Sequence, residues 1–274
     1  MHQIGTVGRV LVDGRASRIR ENRTRSTPLS RFIISAQSIQ GSSIVIDDAR
    51  ELHHLRNVLR LSPGDRVTCF DGQGAEYVGT IQQILRRSAT ISIEQSLTRS
   101  EERPAMRLLA AVPKGERFEW LVQKATELGV QRISPLLTRH GVLRPVGGQA
   151  KAKCERWRRV AQEAAKQCGR SRLPTIDELQ PFEQAIDAIA QIPLILMPTL
   201  VVSAVALSEV LNAQPVASEV AVLIGPEGDF SLDEVTYAQT RGARPVSLGR
   251  LTLRSETAAL VTVTVVRYMQ GGLS

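Results

Sequence analysis

Val220-Ala-Val-Leu-Ile224 runs into Gly225-Pro226-Glu227-Gly228-Asp229-Phe230, and Ser231-Leu-Asp-Glu234 follows. An unbroken apolar run of this kind predicts a strand buried on both faces, as in a parallel sheet. The glycine loop lets the main chain come close to another group. Ser231 with Glu234 three residues on is a capping-box signal, so a helix starts there. Gly242 closes that helix and Pro245 keeps it from continuing. Residues 246–248 predict a second short strand, and Gly249 opens a second glycine loop, Gly249-Arg250-Leu-Thr-Leu-Arg254-Ser-Glu256-Thr257. Glycine loops at neighbouring strand ends hold ligands through backbone groups. Two ordinary strand-to-helix turns carry the same short motifs, so spacing alone leaves both readings open.

Working outward, the 274 residues suit one large or two modest domains. Apolar residues make up 42% and aromatics only 4%, so the core must be aliphatic. No apolar run is long enough to span a bilayer, and no secretory signal is visible. Cys69, Cys154 and Cys168 are odd in number, fit a reduced compartment and match no zinc spacing. The expectation is a cytoplasmic protein with no membrane and no metal.

The net charge of +8 is unevenly placed. Residues 1–31 carry seven Arg against Asp13 and Glu21, and residues 139–172 carry ten Lys or Arg against Glu155 and Glu163. The remainder is net acidic. Such concentration favours a polyanion partner, nucleic acid above all, over a merely solvated basic face.

Residues 1–28 are Arg-rich and aperiodic, the signature of a flexible extension. An RNA-contacting arm, a targeting peptide and a start codon assigned too early all remain open for it. Segments 32–34, 43–47, 66–70, 76–81 and 90–94 alternate or are β-branched, with Asp71-Gly72-Gln73-Gly74 as a hairpin loop. They predict a small β-barrel over residues 29–98. Residues 51–61 predict a short helix with Leu52, Leu55, Val58 and Leu59 on one face. A polar linker at 96–104 leads to a second domain over 104–272. There, apolar strands at 108–112, 133–137 and 194–197 alternate with helices. That is the order of a parallel α/β sheet. Pro135 makes the 133–137 strand short or irregular. One helix has Trp157, Val160, Ala161, Ala164, Ala165 and Cys168 on its apolar face and Arg156, Arg158, Arg159 and Lys166 on the other. Residues 255–269 start like a helix, yet Val261-Thr-Val-Thr-Val-Val266 alternates like a strand. Both readings stand.

No Walker loop, no Gly-x-Gly-x-x-Gly opening a helix and no hydrolase or zincin motif occurs. Glycine loops, a basic surface and a few placed polar residues suit a group-transfer enzyme whose cofactor carries the reactive group. Gly225-Pro226-Glu227-Gly228, Leu248-Gly249 and Leu253-Arg254-Ser255-Glu256-Thr257-Ala258 resemble the C-terminal motifs of the SPOUT methyltransferases. The resemblance is to the RsmE type, which methylate uridine N3 in small-subunit ribosomal RNA. Lys114-Gly115-Glu-Arg117, Lys124-Ala-Thr-Glu127-Leu-Gly129 and the stretch from Arg156-Trp157 to Gly169-Arg170 support it. Leu55-Arg-Asn-Val58-Leu-Arg60-Leu resembles that family's PUA-like domain. The chain departs from the family pattern at Asp229, usually a third glycine. It departs also at Thr252, usually Ile, and at Thr138-Arg139-His140-Gly141, usually Ser-rich. Asp229 places a charge beside the cofactor loop.

The resemblance implies a knotted parallel-sheet domain behind a PUA-like barrel, a helical final segment threaded through the knot, and a homodimer. It implies S-adenosylmethionine bound by Leu196, Met197, Ile224, Gly225, Pro226, Glu227, Gly228, Leu248, Gly249 and Leu253. Arg254 is the candidate catalytic cation, stabilising a uracil N3 anion, and Glu227 a candidate to orient cofactor or base. Candidate contacts to ribosomal RNA of the small subunit are Arg31, Arg56, Arg60, Lys114, Arg117, Arg139, Arg170 and Arg172. Two other readings compete: a non-catalytic RNA-binding assembly factor, and a knotted methyltransferase with another RNA target.

Overall fold

The computed structural model describes residues 29–100, 102–142 and 148–272; the Arg-rich extension 1–28 lies outside them. In the N-terminal part, β1 (Ser30–Ile33), β2 (Ile39–Gln40), β3 (Ser43–Ile46), α1 (Ala49–His53), β4 (Arg66–Phe70), β5 (Ala75–Ile84) and β6 (Ala89–Thr98) follow in order. They form a six-stranded sheet of order β1-β4-β5-β6-β3-β2. Only β1–β4 is parallel. Phe32 of β1 and Ile44 and Ile46 of β3 pack in one core with Val67, Cys69, Ile81 and Ile91. Strands far apart in the pairing order can share a core only if the sheet coils. The result is a half-open barrel rather than a closed ring. The β4–β5 turn is made by Asp71, whose carboxylate accepts from the amides of Gln73 (2.7 Å) and Ala75 (3.0 Å). β6 runs to Thr98, three residues into the expected linker, so the connection to the next sheet is confined to 99–104.

The 51–61 helix differs from expectation. Asp48 caps α1 by accepting from the amides of Arg50 and Glu51, but residues 54–58 form a π turn. The wider π turn breaks the i, i+3, i+4 register. Leu52 and Leu55 are buried, whereas Val58 and Leu59 turn outward.

The second part contains β7 (Ala105–Ala111), α2 (Arg117–Glu127), β8 (Arg132–Leu137), α3 (Gln149–Cys168), β9 (Thr175–Ile176), β10 (Gln180–Pro181) and α4 (Phe182–Asp187). Next come β11 (Leu194–Pro198), β12 (Val205–Ala206), α5 (Leu207–Asn212), β13 (Glu219–Ile224), α6 (Leu232–Thr240), β14 (Ala243–Ser247) and α7 (Ser255–Met269). The sheet is parallel, of order β10-β8-β7-β13-β11-β14-β12, with β9 also on β8. Alternate residues of β13 serve two cores: Val220, Val222 and Ile224 meet α2, α3, α5 and α7, while Ala221 and Leu223 meet α4 and α6. Two covered faces are why the strand reads as an unbroken apolar run.

β8 is regular through Pro135, against expectation. The Thr175 amide bonds the Gln131 carbonyl and the Asp177 amide bonds the Ile133 carbonyl, so the backbone groups of odd-numbered residues of β8 point to the edge shared with β9 and β10. β9 pairs only as far as Ile133 and β10 begins at Leu136. Pro135 therefore lacks its amide in the gap between two short neighbours, where no partner needs it. The last segment is helical: Ala259, Val263 and Val266 pack into the core beneath β13, and this burial overrides the β-branched propensity of 261–266. Cys168 is exposed rather than on the apolar face of α3, where Cys154 is buried instead.

The two sheets are joined by polar contacts. The Gly74 amide bonds the Ser171 carbonyl and the Leu173 amide bonds the Gly72 carbonyl. Lys166 of α3 reaches Glu51 at 2.5 Å, and Arg31 and Ser171 both bond Glu76. Burial pushes the Glu76 carboxyl up, but the hydrogen bonds from Ser171 and Arg31, with the charges of Arg31 and Arg99, outweigh it and hold it below the usual 4.5. A depressed carboxylate contributes stability above its unfolded pKa and loses it as pH falls through the folded one. The junction is therefore at full strength above about pH 4.5 and weakens below it. A melting-temperature profile against pH should drop in that acid window, and Glu76→Gln should flatten the drop.

A candidate cofactor pocket at three neighbouring strand ends

β13, β11 and β14 lie side by side, and their C-terminal ends open into a cavity of ≈ 270 Å³. Ligands of open parallel sheets sit at such ends, where loops diverge. The wall is built from Pro198, Thr199 and Leu200 after β11, from Ile224–Glu227 and Asp229 after β13, and from Leu248, Gly249 and residues 251–255 leading into α7. Gly225 is closely hemmed in: a Cβ there would stand 3.1 Å from both the Asp229 Oδ1 and the Phe230 amide nitrogen, so a larger residue would push the loop outward by a few tenths of an ångström. The capping box holds as expected, with Ser231 and Glu234 bonded reciprocally. Glu234 also accepts from the Arg139 amide at 2.8 Å, tying the end of β8 to the base of α6.

The cavity brings together most of the expected residues: Ile224, Gly225, Pro226, Glu227, Leu248, Gly249, Leu253 and Arg254. Three lie outside its wall. Leu196 and Met197 are fully buried, one in each core, because the strand is still inside the sheet there. The cavity begins one residue later, at Pro198. Gly228 faces away, and a Cβ on it would stand 3.4 Å from His140 Cβ. His140 lies 3.1 Å from the carbonyl oxygens of Gly228 and Asp229 through its Nδ1. Thr199, Asp229 and Ser255 were missed as wall residues. Pro198 ending an apolar strand could have located Thr199, since the residue after a parallel strand end faces the ligand crevice.

Asp229 adopts φ +56°, the left-handed region that its usual glycine allows freely. Asp tolerates it better than most because its short carboxylate bonds locally. Its charge is not loose beside the loop: it accepts from the Phe230 amide (2.7 Å), the Leu200 amide (2.7 Å) and the Thr199 hydroxyl (2.9 Å).

Arg254 precedes the first turn of α7 and is exposed, its side chain making no hydrogen bond or ion pair among the described residues. It does not pair with Glu256. α7 has no side-chain cap, and Ser255 Oγ is buried in the wall without a partner. An uncapped helix start and an orphaned hydroxyl are polar groups awaiting a ligand. Glu227 stands at the rim, 3.4 Å from Arg117, both half exposed. Such a pair is weak and easily exchanged.

The expected RNA contacts divide. Arg60 and Lys114 are exposed and unpartnered among the described residues. Arg56 is exposed and bonds the Arg86 carbonyl at 3.0 Å; Arg139 pairs with Asp233 at 2.6 Å. Arg172 donates to the Arg99 carbonyl at 3.4 Å. Arg31 and Arg170 are engaged inside the fold. Arg31 is nearly buried against Glu76, Ser171 and the Phe70 ring, and Arg170 donates to the carbonyls of Thr126 and Val130. Both spend their guanidinium on contacts within the fold. The basic run is partly answered within the fold, by Glu116 and Glu119 at Arg156, Glu178 at Arg158 and Glu51 at Lys166. Among the described residues no group of acidic, His and Cys side chains could hold a metal ion, and no helix is long and apolar enough to cross a membrane.

The family model for an RNA methyltransferase domain matches residues 100–267. The chain belongs to this RNA methyltransferase family. A model for the PUA domain of RNA methyltransferases matches residues 46–94 in the half-open barrel. The chain is 30% identical to the Synechocystis ribosomal RNA small subunit methyltransferase E, over 87% of this chain and 77% of that one. It is 27% identical to the Bacillus subtilis protein of the same name, over 88% and 96%. The crystal structure of ribosomal RNA small subunit methyltransferase E from Neisseria gonorrhoeae, bound to S-adenosylmethionine, superposes with a TM-score of 0.77 at 25% identity, covering 88% of this chain and 98% of that one. The parallel sheet and the barrel thus match the fold expected of an RNA methyltransferase.

Proposed function

We propose that this protein methylates the N3 atom of a uridine in small-subunit ribosomal RNA, using S-adenosylmethionine, as a cytoplasmic homodimer. The observation that carries the reading is the cavity at the ends of β13, β11 and β14. It has apolar walls, an orphaned Ser255 hydroxyl and an unpartnered Arg254 at its mouth. The relatives named as ribosomal RNA small subunit methyltransferase E, one of them solved with S-adenosylmethionine, support it.

The cofactor supplies an electrophilic methyl group. Leu248, Leu253 and Ile224 offer it apolar contact, and the loops at Gly225 and Gly249 offer backbone groups. A uracil N3 must lose its proton before it attacks, leaving negative charge over the base. Arg254 is placed to stabilise that charge by direct hydrogen bonding. Glu227, at the rim, is placed to orient the base. Residues 29–98 form the RNA-binding domain in this reading, and 104–272 the catalytic one. Arg60, Lys114 and the outward Val58 and Leu59 give the RNA basic and apolar contacts. Leu200 and Leu251, 67% and 79% exposed beside the cavity, support a second copy packing over it. A chain that places β14 across β11 and then returns as α7 beneath β13 supports the knotted topology.

The test is methylation of small ribosomal subunits from a strain lacking the enzyme, followed by mapping of the product. N3-methyluridine at one position is expected. A 2′-O-methyl product, or modification of transfer RNA alone, overturns the assignment. Calorimetry that detects no affinity for S-adenosylmethionine would favour an assembly factor instead.

A further inference from the structure

The turn that closes one side of the cavity is held from outside its own strand. Leu200 and Val201 are exposed, so apolar packing resumes only at Val202, which lies against the second core. Before it, the Thr199 amide bonds the Val246 carbonyl at 3.3 Å, and a carboxylate from the neighbouring loop holds Thr199 and Leu200. Asp229 Oδ2 accepts from both the Thr199 hydroxyl (2.9 Å) and the Leu200 amide (2.7 Å), and Oδ1 accepts from the Phe230 amide (2.7 Å). The Thr199 hydroxyl in turn accepts from the Val201 amide at 3.2 Å. Thr199, Leu200 and Asp229 all line the cavity. No basic side chain pairs with Asp229 among the described residues, so its charge is devoted to these donors. The arrangement exists at a position where φ is +56° and a glycine is sterically easier. A strained residue persists where its side chain makes interactions that offset the strain.

We propose that Asp229 is a positioning residue: its carboxylate ties the Thr199–Leu200 turn to the β13 loop and so preforms the cofactor-binding wall. The proposal rests on the methyl-donor reading of this cavity. Hydrogen bonds to a charged acceptor are strong enough that losing them changes an equilibrium ~10–100-fold. If that equilibrium is the ordering of the wall, the loss is read in cofactor affinity.

Three variants test it with the full-length protein. Asp229→Gly removes the carboxylate and relieves the left-handed strain, so folding is not at risk. Asp229→Asn keeps the shape but turns one acceptor oxygen into a donor. Thr199→Val removes one hydroxyl. For Asp229→Gly and Asp229→Asn, the calorimetric Kd and the KM for S-adenosylmethionine should rise ~10-fold. The kcat at saturating cofactor and the KM for RNA should stay within about twofold, because the reacting groups are untouched. Thr199→Val should fall between these variants and the parent. Parent-like cofactor affinity in Asp229→Gly overturns the proposal. So does a uniform loss of kcat, cofactor affinity and melting temperature, which marks general destabilisation. If the unaltered protein itself fails to bind S-adenosylmethionine, the methyl-donor reading falls; if it binds and the variants bind equally well, only the positioning role falls.

Discussion

Replacing Arg254 by Ala should lower kcat for methyl transfer ~10²–10³-fold, as the loss of one preorganised donor to a developing anion does elsewhere. The protein should remain folded. Arg254 is exposed and its side chain makes no hydrogen bond or ion pair with the described residues, so truncating it removes no polar contact within the fold. Surface changes of this kind alter stability by roughly ±0.5 kcal/mol. A fall in kcat with an unchanged Kd for S-adenosylmethionine would mark an interaction made mainly in the transition state. Arg254→Lys should recover part of the rate, since an ammonium keeps the charge but not the planar fork. Near-normal turnover in the Ala variant would remove Arg254 from the mechanism.

Replacing Arg267 by Ala should have the largest effect on stability, about 3 kcal/mol in urea unfolding. Arg267 is fully buried in α7, where it bonds the Gly129 carbonyl and pairs with Glu102 at 2.9 Å. Gly129, at φ +77°, ends α2 and is buried. Without the guanidinium its carbonyl is left without this donor, and a void opens between α7 and the end of α2. Glu102 is half exposed and regains water, which keeps the loss at the lower end for a broken buried pair. Arg267→Met should lose less, because it fills the void and removes a costly buried charge. A loss under about 0.5 kcal/mol in the Ala variant would show that the contact is incidental.

These two arginines mark how far the sequence could be read. Both stand beside apolar residues in the C-terminal region, and both look like exposed helix-end cations. The motif around Arg254 pointed to its place at the cavity. Nothing near Arg267 in sequence announces burial, since its partners Gly129 and Glu102 are more than 130 residues away. The same holds for Arg31, whose partners Glu76 and Ser171 come from β5 and from the loop after α3, and for Arg170, whose partners lie at the end of α2.

By itself the sequence determined the features set by neighbours along the chain: β13 buried on both faces, the tight Gly225 loop, the Ser231–Glu234 capping box and the alternation of strand and helix. These depend on periodicity, on steric freedom at one residue and on hydrogen bonds spanning a turn, so local order suffices. Tertiary structure alone decided that 255–269 is a helix, that β8 continues through Pro135, and that Leu196 and Met197 stop short of the cavity. It also decided which basic residues are consumed within the fold and which reach solvent. Those outcomes depend on what packs against a residue from elsewhere in the chain. Asp229 belongs to both accounts: its place in the glycine loop was legible, but the Thr199–Leu200 turn it holds was visible only once β11 lay beside β13.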